Sequence, residues 1–242
     1  MNKIINVILM LVCFKSNAQK VTIDVLSSSG YKSGLKYENL FFLPAAPLHF
    51  LEPDMDTVDV YFIATIKGSN KNDDMWVVYD KIVRKAEKMG ANCFKVVGNT
   101  LKNSLKATSL TLNVYYADPL LITKNENLHE KNSVFIFGNI SGTKAASFKI
   151  DDTLKKIDVG YYYKHVLNTD LKTKFTQTGA FGSNAFAKAS DKPALFLPLG
   201  TLGNGARGSL PPSGLGIGVS SSFSFIDNNF GLLLLTILKP KQ

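Results

Sequence analysis

The chain has 242 residues, 45% of them hydrophobic and 19% charged, with a formal net charge of +9. This composition excludes an intrinsically disordered chain and a membrane protein with several spans. The positive charge is carried by lysine, because only Arg84 and Arg207 are arginines, the residues best suited to bidentate contacts with phosphates and bases. We therefore expect a solvated basic surface and no nucleic-acid partner.

The first 18 residues have the pattern of a signal peptide. Lys3 gives a positive start, residues 4–14 are apolar apart from Asn6, and Ser16-Asn17-Ala18 offers a cleavage site with small residues at both ends. The apolar run is shorter than the about 20 residues that a bilayer span requires. We therefore predict a protein exported to the periplasm, the outer-membrane surface or the medium, with no transmembrane span after signal removal.

Cysteine usage adds no cross-link to the predicted mature chain. Cys13 lies in the signal peptide, so Cys93 has no partner for an intramolecular disulfide. Its place at the start of an apolar strand is typical of a small buried hydrophobic residue. A reactive thiol is the alternative.

Residues 19–122 are predicted to form an α+β module that contains a β-α-β unit. Trp76 to Met89 has apolar residues three or four positions apart and lysines on the other face, which predicts a helix. Gly90 then supplies a left-handed stop. The strands on either side, 58–67 and 91–98, are expected to run parallel through a right-handed crossover. Alternating apolar residues predict further strands at 21–25 and 110–116.

Two segments are predicted to be connections. Residues 40–51 are apolar, but Pro44 and Pro47 exclude a helix interior and a central strand. A packed connector is expected there, with an exposed partner-binding patch as the alternative. Residues 123–132 are polar and charged, which predicts a linker, a domain boundary and an exposed His129.

Residues 133–242 are predicted to form an all-β, antiparallel sandwich-like domain. Strand-like runs recur about every 8–12 residues, separated by Gly, Asp, Asn and Pro. No helical period competes with them. The predicted strands are 134–137, 146–150, 161–167, 174–177, 184–188, 194–197, 215–225 and 232–238.

Two stretches resemble modules of bacterial envelope proteins. Ala86-Glu-Lys-Met-Gly-Ala-Asn-Cys-Phe-Lys-Val-Val97 resembles the helix-to-strand signature of YbjQ-like and RcsF-like domains, a likeness that covers about residues 58–117. Val134-Phe-Ile-Phe137 and the Gly-Tyr strand after it resemble PEGA-like surface β-sandwich modules. These resemblances imply fold and an envelope setting. They imply no disulfide signalling and no metal site, because this chain lacks the cysteines and the His/Cys cluster.

Candidate binding residues lie in the C-terminal half. Tyr161, Tyr162 and Tyr163 place two rings on one strand face and one on the other, an arrangement that can stack on a sugar or belong to the sandwich core. His165 follows on the same strand. Arg207 lies in a Gly-x-Gly-x-x-Gly stretch from Gly203 that opens no helix, which predicts a binding loop and no dinucleotide site.

No catalytic set is recognisable in the sequence, and we predict no cofactor and no metal. The three histidines, His49, His129 and His165, are not at ligand spacing. The leading hypothesis is an exported, non-enzymatic envelope or cell-surface protein that binds a partner protein or a glycan. The alternatives are an envelope hydrolase that uses His165 or His49 with a nearby acid, and a lipid carrier with an apolar cavity.

Overall fold

The computed structural model describes residues 21–30, 48–55, 59–70, 75–102, 106–138, 144–178, 184–199 and 225–241. Within them the protein is a mixed α+β structure. The predicted signal peptide, Arg207 with its glycine-rich stretch and all but the last residue of the predicted strand at 215–225 lie outside the described residues.

The N-terminal half contains one five-stranded sheet. Its strands are β1 (Thr22–Ser28), β2 (His49–Phe50), β3 (Tyr61–Ser69), β4 (Cys93–Lys102) and β5 (Lys106–Tyr116). Their order is β1-β3-β5-β4-β2, and β5 runs antiparallel to both β3 and β4. The predicted parallel direction of the strands around the helix is therefore confirmed. They are not neighbours, however, because β5 folds back as a hairpin and pairs between them.

Helix α1 (Met75–Lys88) covers one face of this sheet. Its apolar residues Val78 and Ile82 are fully buried, as the helical period predicts. The contact is close at Gly68, where an added Cβ would lie 2.7 Å from Val78 Cγ1. Gly90 has a φ of 85°, and Ala91 N donates to Ala86 O at 3.0 Å, so the predicted glycine stop is confirmed.

The C-terminal half contains two four-stranded sheets. Their strands are β6 (Ser133–Phe137), β7 (Ala146–Ile150), β8 (Thr153–Ile157), β9 (Tyr161–Val166), β10 (Thr173–Gln177), β11 (Asn184–Ala187), β12 (Leu195–Pro198) and β13 (Lys239–Pro240). The orders are β11-β10-β7-β8, which is antiparallel throughout, and β12-β6-β9-β13. In the second sheet β12–β6 and β9–β13 are parallel, which corrects the expectation of a wholly antiparallel half. Both sheets contribute to one hydrophobic cluster.

Apart from the two-residue β13, strand β8 is the one described strand of this half that was not predicted from the sequence. It forms a tight hairpin with β7 through Asp151 and Asp152, whose φ angles are 45° and 67°. Two consecutive left-handed residues are the signature of a type I′ turn. The pair Asp-Asp, which tolerates this conformation, was the available signal.

Two predictions of local structure were wrong. The segment predicted as a linker lies mostly in helix α2 (Pro119–Leu128), where Asp118 Oδ1 accepts from Leu121 N as the N-cap. His129, expected to be exposed, is buried at 8% exposure. The predicted strand at 232–238 is mostly helix α3 (Asn228–Ile237), capped by Asp227. A short apolar run fits a buried helix as well as a buried strand, so periodicity could not separate them.

Hydrophobic packing continues across the predicted domain boundary. Phe230 of α3 lies 5.0 Å from both Trp76 and Tyr79 of α1, measured between ring centroids. The same cluster includes Phe135 and Phe196 from the C-terminal sheet. Helix α3 therefore packs between the two halves. None of the described helices is long and apolar enough to cross a membrane.

Replacing Gly231 by alanine should destabilise the protein, because an added Cβ would overlap the Phe196 ring. Overpacking of this kind costs about 1–3 kcal/mol. Gly98→Ala is the matched control, since nothing lies within 4 Å of the added Cβ there. Urea denaturation of both variants measures the difference, and equal midpoints would show that α3 is not packed against β12 in this way.

Candidate functional site

Strand β2 is held between β4 and two buried asparagines. On its inner side, His49 N donates to Asn92 O and Leu51 N donates to Phe94 O, both at 2.9 Å. On its outer side, Phe50 N donates to Asn229 Oδ1 at 2.9 Å.

Asn125 completes the outer side of β2. Its Nδ2 donates to Phe50 O at 2.7 Å, and its Oδ1 accepts from Glu52 N at 2.8 Å. The Asn125 side chain is fully buried and comes from α2, whereas Asn229 comes from α3. We call Asn125 and Asn229 the asparagine clamp. Together they bond to the backbone groups on the outer edge of β2, to which another strand would otherwise pair.

The clamp fixes the tautomer of neutral His129. A backbone N–H can only donate and a carbonyl can only accept, so the Asn125 amide has one orientation. Its NH2 group then faces His129 Nε2 at 3.3 Å, and Nε2 must accept. Neutral His129 therefore carries its proton on Nδ1.

Burial favours the neutral form of His129. Desolvation is the largest cause that lowers the pKa of His129 below its ordinary value of 6.5, and the charge of His49 lowers it further. The charge of Glu126 and the carbonyl of Phe50 act in the opposite direction. Glu52 Oε1 lies 3.8 Å from the same nitrogen, Nε2. Burial, followed by the charge of Asp54, raises the pKa of Glu52.

His49 lies at the surface of the same region. Its Nδ1 is 3.0 Å from Glu126 Oε1, and its side chain is 20% exposed. Asp227 at the start of α3 also interacts electrostatically with His49. An imidazole oriented by a carboxylate is the arrangement of a general base, so His49 with Glu126 could activate water.

Cys93 does not complete a nucleophilic site with His49. The two residues are register partners on β4 and β2. The thiol is fully buried, however, and burial raises the pKa of Cys93 to about 12. Its Sγ donates to Asn92 Oδ1 at 3.1 Å, so the thiol stays protonated and unreactive. The prediction of a small buried hydrophobic residue is confirmed.

A groove lies beside β2 along the outer edge of β4. Its volume is about 370 Å³, and its apolar lining comes from Phe50, Leu51, Pro53, Val96 and Val97. Strand β2 pairs with β4 only at Cys93 and Phe94. Beyond Phe94, no strand of the described residues pairs with this edge.

Lys95 is the charged residue of the groove. Its Nζ donates to Pro53 O at 3.3 Å and to Met55 O at 3.1 Å. These two bonds tie the segment after β2 to β4 and place a positive charge beside the apolar lining. An ammonium group has three N–H donors, so one remains for an incoming acceptor.

The sequence-predicted site residues do not form one surface. Tyr161 and Tyr163 pack against the cluster between the two C-terminal sheets, whereas Tyr162 packs against the cluster under α3. The His165 ring lies 5.5 Å from that of Phe175, edge to face, and burial lowers the pKa of His165. Arg207 lies outside the described residues, so its place in a binding loop stays a prediction.

Sequence reasoning missed Asn125 and Asn229. Asn125 and Asn229 look like solvated polar residues until the helices that carry them are recognised. The available signals were the Asp118-Pro119 and Asp227 helix starts, which would have placed each asparagine inside a helix.

Comparisons with protein-family models, with curated proteins and with solved structures gave no match for this chain. Among the described side chains, no three His, Cys, Asp or Glu residues converge into a group that could hold a metal ion.

Proposed function

We propose that the protein is an exported, non-enzymatic envelope or cell-surface protein that binds an extended segment of a partner protein along the outer edge of β4. The observation that carries this proposal is the groove in which that edge, unpaired beyond Phe94 within the described residues, is flanked by apolar side chains. An edge with free N–H and C=O groups is a template for another strand.

Backbone geometry indicates where a peptide would pair. Backbone groups alternate along a strand, and Phe94 turns its carbonyl to β2, so Val96 is the next residue facing this edge. The chain of β2 itself leaves the edge at Pro53, which has no N–H to continue the ladder. A β-bulge at Val97 limits regular pairing, so we expect a short segment to bind.

The lining of the groove favours a peptide with alternating apolar and acidic residues. Successive side chains of a strand point to opposite faces. One set would lie against Phe50 and Val96, whereas the other would lie beside Lys95. The excess of lysine over acidic residues in the whole chain also favours an acidic partner.

The envelope setting and the module architecture belong to the same proposal. The signal-peptide pattern and the resemblance to YbjQ-like and RcsF-like domains support the first. The cluster shared by the two C-terminal sheets supports a sandwich-like second module, as the PEGA-like resemblance implies. Glycan binding at Tyr161–Tyr163 is less supported, because these rings pack against hydrophobic clusters.

The peptide proposal is tested with a fluorescein-labelled hexapeptide of alternating valine and glutamate, titrated by fluorescence anisotropy. We expect binding that falls about tenfold in Lys95→Glu, because a favourable charge contact becomes repulsive. The matched control peptide replaces glutamate by lysine and should recover affinity for Lys95→Glu. Two further peptides carry N-methyl groups on alternate backbone amides, one on the odd-numbered and the other on the even-numbered positions. Only the peptide whose methylated amides face β4 should bind more weakly. Equal binding of both methylated peptides would contradict strand addition.

An envelope hydrolase remains the second candidate, because His49 is oriented by Glu126 at 3.0 Å. In a screen of ester and amide substrates, that function requires activity that His49→Ala abolishes and His165→Ala leaves intact. A lipid carrier instead requires lipid that copurifies with the protein and is detected by mass spectrometry.

A further inference from the structure

We infer that protonation of His129 releases Asn125, one half of the asparagine clamp, from β2, so that the groove binds its peptide at neutral pH and loses it in acid. This inference rests on the proposed function, since it concerns regulation of the same groove. Three features carry it: the fixed amide of Asn125, the nearby carboxylate of Glu52 and the place of residues 50–53 in the groove wall.

Protonated His129 cannot keep its contact with Asn125. The protonated ring would carry N–H on Nε2, and this group would face the NH2 group of Asn125 at 3.3 Å. Flipping the amide does not help, because it would break the bonds to Phe50 O and Glu52 N. The ring and the amide must therefore separate.

The carboxylate of Glu52 gives the protonated ring another partner. Its Oε1 lies 3.8 Å from His129 Nε2, slightly beyond hydrogen-bond distance. The backbone N–H of the same residue is held by Asn125. A shift of Glu52 towards the ring would therefore pull on the bond that fixes the end of β2.

The groups around His129 place its protonation in acid. Burial and the charge of His49 in β2 lower the pKa of His129, whereas the charge of Glu126 in α2 and the carbonyl of Phe50 in β2 raise it. Burial is the largest of these effects on the pKa, which lies below 6.5. His129 binds a proton more readily when residues 50–53 are released than when the clamp holds them. The clamp is therefore fully formed above pH 6.5 and weakens below it.

Release of the clamp would alter the groove directly. Phe50, Leu51 and Pro53 form one of its walls. The same segment anchors Lys95, whose ammonium donates to Pro53 O and Met55 O. Loosening residues 50–53 would thus remove apolar contacts and misplace the charge that the acidic peptide requires.

Amide hydrogen exchange at Phe50 and Glu52 tests the clamp without any peptide. After correction for intrinsic rates, the Glu52 amide of the wild type, which donates to Asn125, should exchange faster in acid, by up to about tenfold for each pH unit below 6.5. The Phe50 amide, which donates to Asn229, should follow it as β2 loosens. His129→Gln keeps an acceptor but cannot titrate, so its corrected rates should not change with pH. His165→Gln is the matched control, because it removes another histidine of lowered pKa and leaves the clamp intact. The same acceleration in His129→Gln as in the wild type would overturn the inference.

Nitrogen NMR of the wild type provides a second readout that needs no variant. The imidazole shifts of His129 should show an unprotonated Nε2 at neutral pH, and Nε2 should gain its proton as the two amides begin to exchange. A proton on Nε2 at neutral pH would contradict the clamp geometry.

The valine–glutamate hexapeptide then connects the clamp to the groove. Its affinity should fall between pH 7.5 and 5.5 in the wild type and in His165→Gln, but not in His129→Gln. A peptide that binds with the same pH dependence in His129→Gln would overturn the inference. If the amides respond as expected but the peptide binds at neither pH, the clamp stands and the proposed function fails.

Discussion

Asn125→Ala should lower the free energy of unfolding by about 3–5 kcal/mol, because two buried groups and one partly buried group lose their partner. The Asn125 side chain is fully buried and bonds to Phe50 O and Glu52 N, and it contacts His129 Nε2. A buried polar group left unsatisfied costs about 1–3 kcal/mol, and water can recover only the part that it reaches. Urea denaturation at neutral pH measures the loss.

Asn127→Ala is the matched control on the same helix. Asn127 is exposed, so its replacement should change the free energy of unfolding by less than about 0.5 kcal/mol. Asn125→Asp separates hydrogen bonding from cavity formation, because aspartate keeps the shape but cannot donate to Phe50 O when ionised. Equal stabilities of Asn125→Ala and Asn127→Ala would mean that the clamp does not hold β2.

The elements with a complete local pattern could be predicted from the sequence. Helix α1 has a regular apolar face and a glycine at its end, and both were recognised. Most strands of the C-terminal half were also placed correctly, because turn residues bound them on each side. In these segments local propensity and tertiary packing favour the same structure.

The remaining elements depend on contacts between distant parts of the chain. Strand β2 has two residues, too few for any period, and is defined by β4 and by asparagines 75 and 179 positions away. Helix α2 has no regular apolar face, so its burial at Leu121 and Asn125 follows from where it packs. Helix α3 is apolar nearly all round because both halves of the protein cover it.

The candidate site was missed for the same reason. Its polar residues come from four elements, β2, α2, α3 and β4. The four residues His49, Lys95, Asn125 and Asn229 are too far apart in the sequence to form a motif. The tyrosines and His165 were chosen as neighbours on one strand, although its alternation already placed Tyr162 on the opposite face from Tyr161 and Tyr163. Their side chains accordingly pack against different clusters.

The second large effect is expected at Glu87, on the buried side of α1. This side chain is 4% exposed, and its Oε1 has no hydrogen-bond partner among the described residues. Burial is the main cause that raises the pKa of Glu87 to about 7, and the charge of Asp80 adds to it while Arg84 opposes it. Ionised Glu87 is therefore a cost to the folded state.

The sign of the pH dependence follows from proton binding. Between the ordinary value of 4.5 and about 7, folded Glu87 holds a proton that the unfolded chain has released. The stability that this proton supplies is complete below pH 4.5 and is lost as the pH rises to about 7. Glu87→Gln resembles the protonated acid at every pH. We therefore expect it to stabilise the protein by about 2–3 kcal/mol near pH 8 and by little near pH 4.

Urea denaturation of the wild type and Glu87→Gln at both pH values measures this difference. Asp191→Asn is the control, because Asp191 is exposed and its replacement removes the same charge at the surface. A gain near pH 8 that also appears in Asp191→Asn would indicate an effect of net charge alone. A variant that is equally stabilised near pH 4 and pH 8 would mean that Glu87 is hydrated in the folded protein, since desolvation acts only on the ionised form.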